Sequence, residues 1–290
     1  MSIQEENNFT KFILTFKCKD TLGLMAKFSD VLFENGAYIT QVNHFGDPVT
    51  STYNSRIEFD DRVMTSGIEA FKTEFDKVAK ELGMDYQMRR ADYRPKVLIA
   101  VSKYDHCLNV LLTKWKGGVL PIDIVGVFSN HPDCKEFVEF YDLPFYHFPI
   151  TKDTKPQQEA QILDLMAEEN VDLLVLARYM QILSDDLCRK LDGKAINIHH
   201  SFLPGFKGAK PYQQAYDRGV KLIGATAHYV TADLDEGPII VQEVKHVDHA
   251  TSVQDMIEIG HDSESIALAR AVRLHVEDRV VLNGERTIIL

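Results

Sequence analysis

Residues 11 to 18, Lys-Phe-Ile-Leu-Thr-Phe-Lys-Cys, alternate polar and apolar side chains through much of their length, the period-two pattern of a half-buried strand. Asp20-Thr21-Leu22-Gly23 follows as a turn and helix entry. Leu24, Phe28, Val31 and Leu32 then recur at helical spacing until Gly36, a residue suited to the left-handed conformation past a helix end. Two strand-like runs, Tyr38 to Phe45 and Tyr53 to Phe59, flank Gly46-Asp47-Pro48, which reads as a hairpin turn. Ile68, Phe71, Phe75, Val78 and Leu82 mark a second helix that Gly83 ends, leaving Asp85 to Arg89 for a closing strand. The order βαββαβ predicts a ferredoxin-like sandwich, two helices on one face of an antiparallel sheet.

All periodicity stops in Arg89-Arg90-Ala91-Asp92-Tyr93-Arg94-Pro95, so a linker is placed at 91–96, between a first domain at 1–90 and a second at 97–290. Beyond it, Val97 to Val101, Ile122 to Phe128 and Leu173 to Leu176 are short apolar runs of the kind found in strands covered on both faces. Leu108, Leu111, Leu112 and Trp115 form one helical stripe between them; Ala160, Leu163 and Ala167, with Ile162 and Met166, form another. This alternation predicts an α/β class, with a Rossmann-like, mostly parallel sheet that binds ligand outside the carboxyl ends of its strands.

Composition narrows the function without naming it. With 290 residues, 45% hydrophobic and 26% charged, the chain can fill a core in each of two domains. Its net charge of −11 opposes non-specific attraction to nucleic acid. Nothing approaches the ~20 apolar residues of a membrane span. Met1 to Thr10, with Glu5 and Glu6, lacks the apolar run of a secretory signal, so a cytoplasmic protein is expected. Cys18, Cys107, Cys134 and Cys188 form no C-x-x-C pair and read as buried thiols.

The βαββαβ order resembles the ACT domain, a module that commonly binds amino acids. That resemblance implies an effector turn at Asp20, Leu22 and Gly23, an amino-acid effector, and pairing into a homo-oligomer. Thr21 stands where proline is frequent in the family. A purely structural or dimerising module is the alternative, since fold alone does not establish function.

Two clusters carry the chemistry. Lys194 to Pro204 (Lys-Ala-Ile-Asn-Ile-His-His-Ser-Phe-Leu-Pro) runs from a short strand into a loop; period two sets Asn197 and His199 on one face and directs His200 away from their site. Gly224 to Pro238 joins two strands by a tight acidic turn containing Asp235. In isolation, His199 reads as a hydrogen-bonded core or surface histidine and Asp235 as a solvated turn carboxylate. Together, N-x-H-x-S-x-L-P and H-x-V-T-x-x-L-D-x-G-P resemble the formyltransferase family that uses 10-formyltetrahydrofolate. The preceding Leu176-Ala177-Arg178-Tyr179-Met180-Gln181-Ile182-Leu183 resembles that family's folate-binding segment.

By position, the resemblance implies a catalytic trio of Asn197, His199 and Asp235. It also implies a pterin site built from Tyr179, Met180, Gln181, Ile182, Leu183, Val230 and Thr231. An amide donor suits a developing oxyanion, and a histidine titrating near neutrality suits proton delivery. Whether His199 or Asp235 takes the first proton stays open. No cofactor is expected beyond the folate substrate.

The acceptor in this family is what the first loop decides. Members that formylate a phosphorylated ribosyl amine carry a glycine-rich loop there, whose backbone N–H groups cradle phosphate. Here it reads Ser102-Lys103-Tyr104-Asp105-His106-Cys107-Leu108, without glycine. With that loop, the N-terminal module and Gly260-His261-Asp262, the chain resembles the hydrolytic branch of the family. The branch implies water as acceptor, giving formate for one-carbon and purine metabolism. Ser102 and His106 are candidates to line the vacated acceptor pocket, with helix-start polarity as the alternative for His106. Competing readings are a transformylase with a small amine acceptor and a non-catalytic amino-acid sensor. A metal hydrolase using His199, His228 and Asp235 lacks the usual ligand spacing.

Overall fold

The computed structural model describes residues 9–203 and 211–290. The end of the first chemical motif, Pro204, and most of the Met1 to Thr10 segment fall outside them. The chain divides into two units. One holds residues 1–93 with Asp278–Asn283 and Ile288–Leu290; the other holds Arg94–Glu277 with Gly284–Thr287.

In the first unit, β1 (Lys11–Lys19), α1 (Leu24–Glu34), β2 (Tyr38–Asp47), β3 (Thr52–Asp60), α2 (Ile68–Leu82) and β4 (Asp85–Arg90) follow the βαββαβ order. The sheet is ordered β2-β3-β1-β4, with antiparallel pairing throughout. Phe12, Leu14 and Phe16 of β1 bury alongside Leu24, Phe28 and Leu32 of α1 and Phe71 and Phe75 of α2. Phe16 meets Phe28 edge-on, with ring centroids 5.1 Å apart, a favoured aromatic geometry.

Two expectations change here. Gly46 and Asp47 remain in β2, paired with Tyr53 and Thr52, so the turn lies at Pro48–Ser51. Glycine serves at 46 because a Cβ there would lie 2.8 Å from the Asp20 carboxylate, a close approach that sequence reads as a turn signal. The second change concerns 97–290, since Asp278–Asn283 cluster with the first unit. Asn283 Nδ2 donates to Asp47 Oδ2 (2.6 Å), Lys17 Nζ donates to Asn283 Oδ1 (3.0 Å), and Arg89 pairs with Asp278 (2.5 Å). Such side-chain bonds leave no periodic trace.

The second unit contains β5 (Lys96–Val101), α3 (His106–Lys116), β6 (Asp123–Ser129), α4 (Lys135–Glu139), β7 (Phe145–His147), α5 (Lys155–Glu169), β8 (Leu173–Leu176), α6 (Asp185–Lys190), β9 (Ala195–His199), α7 (Pro211–Asp217), β10 (Leu222–Tyr229), β11 (Ile239–His246) and α8 (Val253–Val276). A short ribbon of β12 (Val280–Asn283) and β13 (Arg286–Ile289) follows. The large sheet is ordered β11-β10-β9-β8-β5-β6-β7, parallel from β9 to β7 and antiparallel at β10 and β11. From β5 the chain steps outward through β6 and β7, then returns to β8 and β9 on the other side. The order therefore reverses at β5 and β8, where such sheets open a ligand crevice.

The α5 stripe also differs from its reading. Ile162, Leu165 and Met166 are buried, with Gln158 and Glu159, whereas Ala160 and Ala167 are exposed. Alanine has too little apolar area to decide which face turns inward.

Candidate active site

Pairing Leu176 with Asn197 brings the ends of β8 and β9 side by side. On the other flank β10 sets His228 opposite Asn197 and Thr226 opposite His199. Strand alternation thus gathers an amide and an imidazole on one face, and cross-strand register adds a second imidazole. The loop between β10 and β11 then returns Asp235 to the same place. Gly237 permits that return, because a Cβ there would lie 1.8 Å from the Tyr229 carbonyl oxygen. Asp235 itself adopts φ +58°, a left-handed conformation that aspartate tolerates better than most residues.

His199 Nδ1 lies 3.2 Å from Asp235 Oδ2. An ionised carboxylate only accepts, so Nδ1 carries the proton and Nε2 is the free position. That Nε2 is buried without a hydrogen-bond partner, in a ring only 6% exposed. His228 Nδ1 lies 2.8 Å from the Tyr229 carbonyl, to which it must donate, so its Nε2 accepts from Asn197 Nδ2 at 3.2 Å. This contact orients the Asn197 amide and leaves its second N–H unused.

Burial pushes the Asp235 carboxyl upward, but the His199 hydrogen bond, followed by the electrostatic influence of the His199, His228 and His200 imidazoles, outweighs it and holds the group below its ordinary range. Burial dominates at His228 and keeps that imidazole neutral, against the Tyr229 carbonyl and Asp235. The site therefore contains a carboxylate and a neutral orienting histidine.

These groups form the polar base of a cavity of about 270 Å³. The segment Tyr179 to Leu183, with Val230 and Thr231, lines it, so every residue named for the pterin site sits at the same opening as Asn197, His199 and Asp235. Met180 (52% exposed) and Ile182 (62%) stand at the mouth and are not core residues. Tyr179 differs, since its hydroxyl donates to Gln158 Oε1 (3.1 Å) and its ring packs edge-on against Phe128. An apolar mouth over convergent donors suits a flat heteroaromatic ligand.

Residues 95–272 match the family model described as formyl transferase. A formyltetrahydrofolate deformylase of Corynebacterium sp. (strain P-1) is 48% identical over 280 residues, covering 97% of this chain and 98% of the relative. Crystal structures of formyltetrahydrofolate deformylases match as well. That from Burkholderia mallei has a TM-score of 0.92 and 48% identity, covering 97% of this chain and 99% of its own. That from Pseudomonas putida has a TM-score of 0.91 and 46% identity, covering 97% and 100%. The chain belongs to the formyltetrahydrofolate deformylase family.

Within this deformylase fold, the expectation for His200 fails. Its ring stacks on His199 at 4.9 Å and lines the same cavity. β9 ends at His199, and alternation has no force beyond a strand's last residue. Burial, then the charges of Arg178 and His199, push His200 down to about 4.

Neither Ser102 nor His106 lines the cavity. Ser102 Oγ donates to Asn130 Oδ1 (2.7 Å) and accepts from the Met180 backbone N–H (3.0 Å), so it fastens the cavity-wall segment. His106, the first residue of α3, hydrogen-bonds through Nε2 to Glu264 Oε2 (2.7 Å) and stacks on His261 at 4.0 Å. Glu264 is fully buried; its other oxygen accepts from the Tyr212 hydroxyl (2.9 Å), and Arg178 Nε lies 3.3 Å from Oε2. His106, Cys107 and Glu264 bring ligand-type atoms within 4.8 Å of one another. They suit a cation poorly, because burial pushes the Cys107 thiol far up and Arg178 already supplies positive charge. Glu264 is absent from the sequence reading, which has Arg178 only within the folate-binding segment and His228 only in the metal-hydrolase alternative; the position of His228 facing Asn197 becomes apparent only from strand register.

Proposed function

We propose that the protein hydrolyses 10-formyltetrahydrofolate to formate and tetrahydrofolate. The observation that carries this reading is the His199 arrangement, with Nδ1 held on Asp235 and Nε2 buried without a hydrogen-bond partner, in a residue that lines the same cavity as Asn197. In that tautomer Nε2 is a base. It takes a proton from water as the water oxygen bonds to the formyl carbon. The carbonyl oxygen becomes an oxyanion facing the unused N–H of Asn197 and the imidazolium just formed. Collapse breaks the carbon–nitrogen bond, His199 returns its proton to the departing nitrogen, and formic acid ionises in solvent. Asp235 holds the imidazole in place and stabilises its charge.

The family relatives support the substrate, and the glycine-free loop from Ser102 to Leu108 supports water over a phosphorylated amine as acceptor. Purified protein supplied with 10-formyltetrahydrofolate alone should release formate and tetrahydrofolate in equal amounts. Turnover only after addition of an amine would replace this reading with a transfer reaction.

The reading extends to a homo-oligomer regulated at the first unit by an amino acid. Supporting it, the edge strand β2 exposes Tyr38, Ile39, Val42 and Phe45, and Leu22 stands fully exposed between Asp20 and Gly23 ahead of α1. A cytoplasmic setting fits the four free, buried cysteines. No described helix is long and apolar enough to cross a membrane.

A further inference from the structure

Arg178 leaves β8 for the cavity wall with φ +66°. The other non-glycine residues described with positive φ are serine, aspartate or asparagine, short side chains that bond locally in that region. An arginine gains nothing of the kind, and backbone strain of this sort persists where position matters. The side chain is 9% exposed, and its Nε and Nη1 are buried without a hydrogen-bond partner. Glu264 accounts for the charge but not for these donors. Its two oxygens accept from His106 and Tyr212 at 2.7 and 2.9 Å, and the Arg178 Nε approach at 3.3 Å is too poorly directed for a bond. The guanidinium donors that Glu264 leaves unpaired need an acceptor, and Arg178 is one of the residues that line the cavity. That acceptor must be small, because the group is nine-tenths buried, and anionic, because guanidinium pairs best with a carboxylate.

We propose that Arg178 forms a subsite for a small monocarboxylate beside the catalytic trio, and that its natural occupant is the formate released by hydrolysis. Identifying the occupant as formate rests on the hydrolytic reading above; the carboxylate subsite does not. Two consequences follow. Formate binds the free protein without folate, and it inhibits turnover as a product that leaves through Arg178. Glu264, the buried carboxylate alongside, weakens the subsite by repulsion and keeps the product from lodging there.

The test titrates ¹³C-formate, and acetate in parallel, into the purified full chain without folate, reading saturable changes in the ligand resonance. Formate should saturate and acetate, larger by a methyl group, should bind more weakly. Arg178→Gln should weaken formate by about tenfold or more, the loss of a charge-assisted bond, with Arg178→Lys in between. Glu264→Gln should strengthen binding, and this opposite sign keeps the test decisive if the Arg178 variants fold poorly. No saturable formate signal, or equal affinity in wild type, Arg178→Lys and Glu264→Gln, overturns the subsite even where hydrolysis is confirmed. Saturable formate binding that depends on Arg178, in a protein unable to hydrolyse 10-formyltetrahydrofolate, upholds the subsite and removes the product assignment alone.

Discussion

His199 presents Nδ1 to Asp235 Oδ2 at 3.2 Å and thereby frees Nε2 for chemistry. Asp235→Asn keeps the shape but offers an amide that can donate to Nδ1, which reverses the tautomer. Formate release should fall roughly 10²-fold or more, with little change in KM, as measured by steady-state kinetics on folded protein. An unchanged kcat would mean that the pair does not serve catalysis.

Asn197 is oriented by His228 through the 3.2 Å contact. Asn197→Ala removes the proposed oxyanion donor and should lower kcat by about 10² to 10³. His228→Gln should cost less, because it misaims the donor without deleting it. If His228→Gln proves the more damaging, the imidazole acts directly and the orienting role is wrong.

Buried neutral histidines set an acid limit on stability. His200 and His275 are each pushed down to about 4 from an ordinary 6.5, with burial as the leading cause. Below 6.5 the unfolded chain takes up protons that the fold refuses, so stability is complete above that pH and declines until about 4. The loss per histidine reaches at most about 3 kcal/mol, and less at His200, which retains some solvent contact. Asp235, its pKa lowered, contributes stability that is present above the ordinary carboxylate range and lost as pH falls through its own value. Urea midpoints should drop between about pH 7 and about pH 5; a flat profile would contradict the burial argument.

Gly237→Ala should damage both stability and turnover, because its Cβ would fall on the Tyr229 carbonyl. Relief requires the loop carrying Asp235 to move, at about 1 to 3 kcal/mol. Thermal unfolding and formate assay together test this, and a fully active, equally stable variant would show that the loop has slack.

The first unit was legible because each of its elements presents a clean period, from Phe12, Leu14 and Phe16 on β1 to Phe71 and Phe75 on α2. Asn197, His199 and Asp235 were legible through motif, and the sheet register explains why they converge. What was not legible depends on distance in the chain or on irregularity. β7 has three residues, too few for a pattern, and α8 buries Ser263, Glu264 and Ser265, which break any apolar stripe. The bond between His106 and Glu264 joins loci 158 positions apart. His200 was misread because a rule for strand interiors was carried one residue past the strand.

Asn283 grips Asp47 across 236 positions. A ribosome delivers the donor long after the acceptor, so the first unit waits on a much later stretch of chain for one of its own ties. A chain halted before residue 278 would leave β2 without this fastening, although every residue of β2 had already been made.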